Sequence, residues 1–507
     1  MRNYIQSLFV FISMAVFSGM LAFQTEAQVY TNFYGFSFAY ESSSGSIGTN
    51  GDGANPVGGL CLSGNTLYGT ANNGGISGSG TVFKVQVDGS GFTNLHNFSG
   101  LDGANPQASL VLCSNTLYGT TYAGGSGSSG TLFALNTDGT GFTNLHNFTP
   151  LSAVAHLVPA TNSDGAHPNG LILSGNILYG TAAAGGAPGN GTVFAINIDG
   201  TGFTNLHIFS GGSGMLNLKN NDGINPVAGL ILYSNTLYGT TARGGPSGVG
   251  VVFALNPDGT SFTNLHSFSG TASAATNNDG ADPQAGLIVS GNTLYGTTAI
   301  GGTSGHGTVF AMNLDSTNLL LLYSFTGTNG DGVAPQARLA IAGKTLYGST
   351  DAGGSSSNGI LFAINTDGAG FTNLFSFNID NDYSSGPNLI LAGNHLYGTA
   401  SGIIGVSFGT PPAEGFLGSP GSVFGFSLPV PPPQLAITLS GTNVILTWPT
   451  NSTGYILQSA PNPTPAATWT PVVPTPVIIN QLNSVTNPIT GSQQFYRLIQ
   501  PGSQPAP

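Results

Sequence analysis

Charge is scarce in this chain of 507 residues: 5% are charged, and only seven are Lys or Arg. A protein that grips nucleic acid needs a cationic face, and seven bases cannot supply one. The formal charge of −12 at pH 7 reflects that shortage rather than any acidic tract. It implies no more than weak repulsion of anionic polymers. Cysteine is nearly absent, at Cys61 and Cys113 only. Export would permit a disulfide, but no disulfide framework underlies the fold, and two buried free thiols are expected. Tryptophan occurs twice, at Trp448 and Trp469, both late in the chain. With little charge and 79 glycines, helical proteins and coiled coils are excluded. The 40% apolar content, together with a strict period, argues against disorder.

Repetition is abundant. Leu-Tyr-Gly-Thr or a close relative occurs seven times, with tyrosines at Tyr68, Tyr118, Tyr179, Tyr238, Tyr295, Tyr347 and Tyr397. Their spacings of 50, 61, 59, 57, 52 and 50 residues mark an array of β-rich units. A Val-Phe-like pair follows at Phe83, Phe133, Phe194, Phe253, Phe310, Phe362 and Phe424. A third marker, Thr-Asn-Leu-His-x-Phe or a relative, ends at Phe98, Phe148, Phe209, Phe268, Phe325 and Phe377. Its seventh copy precedes all the tyrosines, as Thr31-Asn32-Phe33-Tyr34-Gly35-Phe36. Tyrosine to Val-Phe phenylalanine is 15 residues in six units, whereas the connector before each Asp-Gly varies. Fixed spacing predicts strands in fixed register, and the variable piece predicts an outward loop.

Four strands per unit are predicted, here in the unit of Tyr238. They are A from Ala228 to Tyr233, B from Thr236 to Thr241, C from Val251 to Asn256 and D from Phe262 to Phe268. Ser234-Asn235 and Pro257-Asp258-Gly259 make tight turns, where Asn and Gly tolerate positive φ. Gly-rich stretches such as Gly124 to Gly130 read as flexible B–C hairpin loops; they lack the Lys and helix of a phosphate cradle. The fold expected is all-β: a seven-bladed β-propeller over 28–428, closed by residues 30–36 as the outer strand of the last blade. An open solenoid is the rival, but it has no use for a displaced first strand. B–C loops and connectors leave the same face, and every long insertion belongs to it: Pro150 to Ser163, Gly211 to Asn221, Thr271 to Asn278 and Ser401 to Ser422.

Residues 1–27 read as a secretory signal, with Arg2, an apolar run from Leu8 to Phe23, and Thr25-Glu26-Ala27 before Gln28. That run is short of the ~20 residues a membrane span needs, and no later segment qualifies. Residues 429–433 read as a Pro-rich linker, and 434–507 as a small β-sandwich with Trp448 in its core.

The run Leu-Tyr-Gly-Thr … Gly-Gly … Gly-Thr-Val-Phe-Ala-Leu-Asn-x-Asp-Gly-Thr resembles the GloVer (Gloeo/Verruco) tandem repeat across residues 30–428. The resemblance implies an exported repeat protein, anchored in varied ways and with no defined activity. The units are also loosely similar to quinoprotein-type blades. The tail, with Val-Ile-Leu-Thr-Trp-Pro, Gly-Tyr-Ile-Leu-Gln-Ser and Phe-Tyr-Arg-Leu, resembles a fibronectin type III-like module, which implies a spacer or attachment role.

No catalytic, cofactor-binding or metal-ligating residue is assigned. His96, His146, His207 and His266 share one strand-D place with Tyr34, Tyr323 and Phe375, so flat packing is expected rather than ligation. His156, His167, His306 and His395 form no ligand spacing. Asp52, Asp102, Asp164, Asp222, Asp279 and Asp331 lie in Asp-Gly-x-x-Pro connectors; Asp88, Asp138, Asp199, Asp258 and Asp367 lie in hairpins. Each is expected to hydrogen-bond its own turn, and one carboxylate per loop is few for calcium. No cofactor is expected, because the propeller has no tryptophan and few bases for an anionic quinone. The functional expectation is a secreted, monomeric, non-catalytic interaction scaffold for a glycan or cell-envelope protein. The alternative is an extracellular carbohydrate-active hydrolase or lyase using Asp351, Asp380, Asp382 or Glu414.

Overall fold

The structure is a computed structural model. It describes residues 28–37, 48–152, 159–212, 219–272, 275–314, 318–328, 330–378, 388–402, 420–428, 434–450, 455–461, 468–473, 475–480, 482–488 and 494–499. The predicted signal 1–27 and linker 429–433 therefore lie outside the described residues. The chain divides into two units, Val29–Leu428 and the C-terminal residues from Pro429. Both are all-β; no α-helix occurs among the described residues.

Within Val29–Leu428 the described residues form seven four-stranded antiparallel sheets in A-B-C-D order. In the unit of Tyr238 the strands are Ile231–Tyr233, Thr236–Thr241, Val251–Leu255 and Thr263–Ser267. Strand B is as expected, while strand A is three residues rather than six. Its first half belongs to the connector, where Ala228 offers its carbonyl to the preceding sheet. The last sheet takes its outer strand from the start of the chain: Tyr30–Gly35 pairs antiparallel with Gly421–Ser427.

Every C–D pairing carries the same β-bulge, which period-two alternation could not foresee. Val82 faces His96 and Phe83 faces Asn94, so Leu95 is the extra residue. The opening strand repeats it, with Val423 facing Tyr34, Phe424 facing Asn32 and Phe33 left over.

The repeat phrases are explained by packing. The Leu of Leu-Tyr-Gly has no exposed surface in any unit. Its Gly lies under the Val-Phe ring: a Cβ on Gly69 would stand 2.6 Å from Phe83 Cζ and 2.9 Å from Leu60 Cδ2, five other copies are as tight, and Gly398 is slightly looser at 2.8 and 3.1 Å. The Thr reaches the next sheet, with Thr181 donating to the Ala228 carbonyl at 2.8 Å. From the last sheet, Thr399 donates to the Gly58 carbonyl of the first at 3.1 Å.

The outer-strand phenylalanine also crosses between sheets. Phe98 meets Phe133 edge-on at 5.3 Å, Phe209 meets Phe253 at 5.5 Å, and Phe36 meets Phe83 at 5.2 Å. Each apolar core is thus shared by two neighbouring sheets, as in the cluster of Tyr68, Val82 and Phe98 with Leu110, Leu117 and Phe133. No unit buries its apolar faces alone.

The glycine loops are more ordered than expected. Gly74 and Gly75 hold φ of 72° and 74°, the left-handed region glycine enters freely. Gly80 N then donates to Gly74 O at 3.0 Å, and the same bond recurs at Gly130, Gly191, Gly250, Gly307 and Gly359.

The C-terminal unit has two antiparallel sheets. One comprises Ala436–Ser440, Asn443–Pro449, Leu482–Pro488 and Val477–Ile479; the other comprises Thr470–Pro471, Ile456–Ala460 and Phe495–Ile499. Trp448, Leu446, Leu457 and Val485 form its core, so Trp448 packs inside as expected. Leu482–Pro488 is a strand despite its polar Asn-Ser-Val-Thr-Asn run, with Val485 turned into that core.

Candidate functional site: connector carboxylates and the inner-strand cavity

The sequence suggested that the connector aspartates bond their own turns; only Asp331 does so, accepting the Gly332 amide at 2.7 Å. Each reaches back across its loop to the end of the preceding outer strand. His96, His146, His207 and His266 place Nε2 within 2.9–3.0 Å of Asp102, Asp164, Asp222 and Asp279. Where tyrosine replaces histidine, the hydroxyl donates instead: Tyr34 to Asp52 at 2.9 Å and Tyr323 to Asp331 at 3.3 Å. The same carboxylates accept the amide and hydroxyl of the residue after the outer-strand Phe, namely Ser37, Ser99, Thr149, Ser210, Ser269 and Thr326. The sequence separation from that residue to the Asp is 3, 5, 10, 12 or 15, yet the clamp is the same.

Five of these rings stack on an aromatic ring of the next sheet, while among the described residues His266 meets only Phe268, edge-on. His96 lies 3.8 Å from Phe142, His146 4.0 Å from Phe203, His207 3.8 Å from Phe262 and Tyr34 3.7 Å from Phe92, all within 8° of parallel. The expectation of flat packing holds for these side chains. The hairpin aspartates also behave as expected: Asp88 accepts from Ser90 N at 2.9 Å and Asp258 from Thr260 N at 2.9 Å.

A cluster of His, Asp and Ser contains the parts of a nucleophilic triad, but the connectivity is wrong for one. The hydroxyl donates to the carboxylate and not to the imidazole, so the imidazole is not placed to act as its base. The surroundings also oppose a cation. N–H and O–H donors crowd each carboxylate, whereas calcium requires a shell of acceptors.

Burial tends to raise the carboxyls of Asp164, Asp222 and Asp279. Hydrogen bonds from His146, His207 and His266, and from Thr149, Ser210 and Ser269, outweigh it and hold all three below the ordinary range. Burial lowers the His96 imidazole, partly offset by Asp102. Burial, reinforced by Asp331, pushes the Tyr323 hydroxyl up to about 12.

Asp164, Asp222, Asp279 and His96 each bind fewer protons folded than unfolded, so through these four groups acid destabilises the fold. The His96 contribution is full above the ordinary imidazole pKa of about 6.5 and fades as pH falls below it. The aspartate contributions are full above about pH 4 and are lost below it. Urea midpoints measured from pH 8 to pH 3 should therefore be level near neutrality, dip slightly toward pH 5 and fall steeply under pH 4. In D222N that last fall should be shallower.

Two partners of the clamp escaped sequence reasoning. Asn50, Asn162, Asn220 and Asn277 stand two residues before the aspartates. Their Oδ1 atoms accept the Asp-Gly glycine amides at 2.9–3.0 Å and glycine-loop amides at 2.7–2.9 Å. An Asn-x-Asp-Gly pattern in the sequence was the available signal. The Ser or Thr after each outer-strand Phe was the other.

Of the remaining candidates, His167 stacks on Tyr122 at 4.3 Å and places Nδ1 2.9 Å from the Tyr122 carbonyl. His306 lends its carbonyl to Ala334 N, and His395 begins a strand beside Tyr397. Asp351 is exposed, with its carboxyl raised by desolvation. Asp380, Asp382, Glu414 and His156 lie outside the described residues. Cys61 and Cys113 are free thiols.

Inner strands of five sheets line a cavity of about 570 Å3, with Ile172, Ile231, Ile288, Ile341 and Ile390 among its walls. Arg338, also missed by the sequence reading, stands at the connector end of this lining and brings its single charge.

No curated protein matches the chain. Solved structures similar to it include a computationally designed protein at 15% identity, covering 78% of this chain and 94% of that one, with a TM-score of 0.39. A Bacteroides uniformis protein provisionally described as a 6-phosphogluconolactonase matches at 17%, covering 68% and 89%, with a TM-score of 0.43. A puromycin-hydrolyzing peptidase of Mycobacterium tuberculosis matches at 12%, covering 79% and 62%, with a TM-score of 0.42. At these values the likenesses carry no argument about this chain. The sequence model described as the Gloeobacter/Verrucomicrobia repeat matches residues 17–214, 149–276 and 271–411. With more than half its length matched, and with the same strands, bulge and clamp recurring from unit to unit, this chain belongs to the Gloeobacter/Verrucomicrobia repeat family.

Proposed function

We propose that the seven sheets close into a seven-bladed β-propeller, and that this exported protein is an interaction scaffold rather than a catalyst. Closure is supported by the pairing of Tyr30–Gly35 with the last sheet, by the Thr399 bond to Gly58 and by the Phe36–Phe83 contact. The C-terminal unit, with its two small sheets, is read as a fibronectin type III-like attachment module. The binding face is the one bearing glycine loops and connectors, and its partner is a glycan or an envelope protein of the exporting cell.

One observation carries the non-catalytic reading. The six connector carboxylates, with their histidine, tyrosine and hydroxyl partners, are occupied by a clamp that repeats regardless of loop length. A site for chemistry departs from the repeat; these groups follow it.

A glycan and polysaccharide array on the full-length chain tests the proposal, scoring retention and released product together. Retention without product is expected. Released product would overturn the reading in favour of a hydrolase or lyase, and Asp351→Ala would then be the first variant to assay.

A further inference from the structure

Seven equivalent residues lie at the approach to the inner strands: Gly59, Ser109, Gly229, Gly286, Arg338 and Asn388 two residues before them, and Gly170 within the longer Ala166–Ser174. They sit close together. A Cβ on Gly59 would stand 2.5 Å from Ser109 Oγ and 2.6 Å from Asn388 Cβ. Asn388 Oδ1 accepts the Arg338 amide at 2.8 Å. A Cβ on Gly286 would lie 3.6 Å from Arg338 Cδ and 3.4 Å from Gly229 O, and Gly229 in turn adjoins Gly170. Four glycines, a serine and an asparagine pack closely around this neck, and Arg338 alone brings a long cationic side chain to it.

Below the neck the wall is aliphatic, with Ile172, Ile231, Ile288 and Ile390 one step beyond the buried leucines of their strands. Arg338 is the only charged residue in the lining. Its guanidinium has no hydrogen-bond or ion-pair partner among the described residues. Arg338 is exposed, while desolvation by the surrounding protein draws its pKa below the ordinary arginine value. Arginine stays charged at any physiological pH, and its planar fork matches a carboxylate. Pockets of about 300–1,000 Å3 take small organic ligands, and 570 Å3 is within that range.

We infer that this cavity binds an amphipathic organic carboxylate, its anionic head on the Arg338 guanidinium and its apolar body against the inner-strand isoleucines. The inference depends on the cavity itself and not on the secretion, closure or scaffold readings above.

Isothermal titration of the full-length chain with sodium octanoate tests it, with 1-octanol and inorganic phosphate as comparison probes. Saturable 1:1 binding of octanoate is expected. R338Q, which keeps the bulk and removes the charge, should weaken it by about 10- to 100-fold, the range for a charge-assisted hydrogen-bonded pair. R338K should retain part of the affinity, and any 1-octanol binding should not change. If R338Q loses its cooperative melt, R338G takes its place, since four other repeats hold glycine there. An arginine that merely fills the neck predicts octanoate affinity unchanged in R338Q, and that result would overturn the inference. So would the absence of saturable binding to the unmodified chain, or phosphate binding as tightly as octanoate.

Discussion

Phe36→Ala should lower the unfolding free energy by about 3–5 kcal/mol, the range for deleting a buried phenylalanine, and Phe209→Ala should cost about the same. Phe36 is near the start of the described chain, where fraying is normally cheap. Here it is 4% exposed, meets Phe83 at 5.2 Å and Phe92 at 5.8 Å, and donates its amide to Gly421 O at 2.9 Å. Phe209, deep within the array, meets Phe253 at 5.5 Å and Phe262 at 6.1 Å and donates to Gly191 O at 3.1 Å. The two environments match bond for bond. Urea denaturation at constant m-value compares them. A penalty under about 1 kcal/mol for Phe36→Ala, beside a full one for Phe209→Ala, would show that the opening strand contributes no core.

Gly239→Ala should also destabilise, by about 1–3 kcal/mol. Alanine normally gains from a less free unfolded chain, by about 0.4–1 kcal/mol where the native backbone tolerates it. Gly239 has no left-handed φ to forbid it. Space decides the sign instead: the new methyl would be 2.5 Å from Phe253 Cζ and 2.8 Å from Leu230 Cδ2. Both atoms belong to closely packed, buried side chains, so neither yields without disturbing the core shared with the preceding sheet. Gly51→Ala is the matched control. Nothing lies within 4 Å of its Cβ position, and its effect should stay within about 0.5 kcal/mol. Equal midpoints for the two variants would remove the steric account of the Leu-Tyr-Gly phrase.

Much of the frame was legible in the sequence because each repeat solves the same packing problem with the same residues. The Leu-Tyr-Gly and Val-Phe phrases marked strands B and C, and the early Thr31–Phe36 segment marked the missing outer strand. What was not legible involves residues distant in sequence. Nothing local to Asp164 reveals that its carboxylate is bound to Thr149, fifteen residues earlier. The bulge at Leu95 is invisible because Asn94-Leu95-His96 reads as ordinary polar-apolar alternation, so period two alone misplaces it. Arg338 went unmarked for another reason: in the chain it is one basic residue before a strand, and only the assembly of five sheets surrounds it with isoleucine.

The clamp has a consequence for how such proteins vary. Ser99 and Asp102 close a gap of 3 residues, Ser269 and Asp279 a gap of 10, and Thr149 and Asp164 a gap of 15, with the same set of bonds. Lengthening a closed segment costs little, about 0.6 kcal/mol per doubling, and the anchor points do not notice what hangs between them. The architecture is a set of interchangeable mounts. Foreign peptides grafted between Ser269 and Asp279 should be displayed without disturbing the sheets beneath, and natural diversification of the loops can proceed one mount at a time.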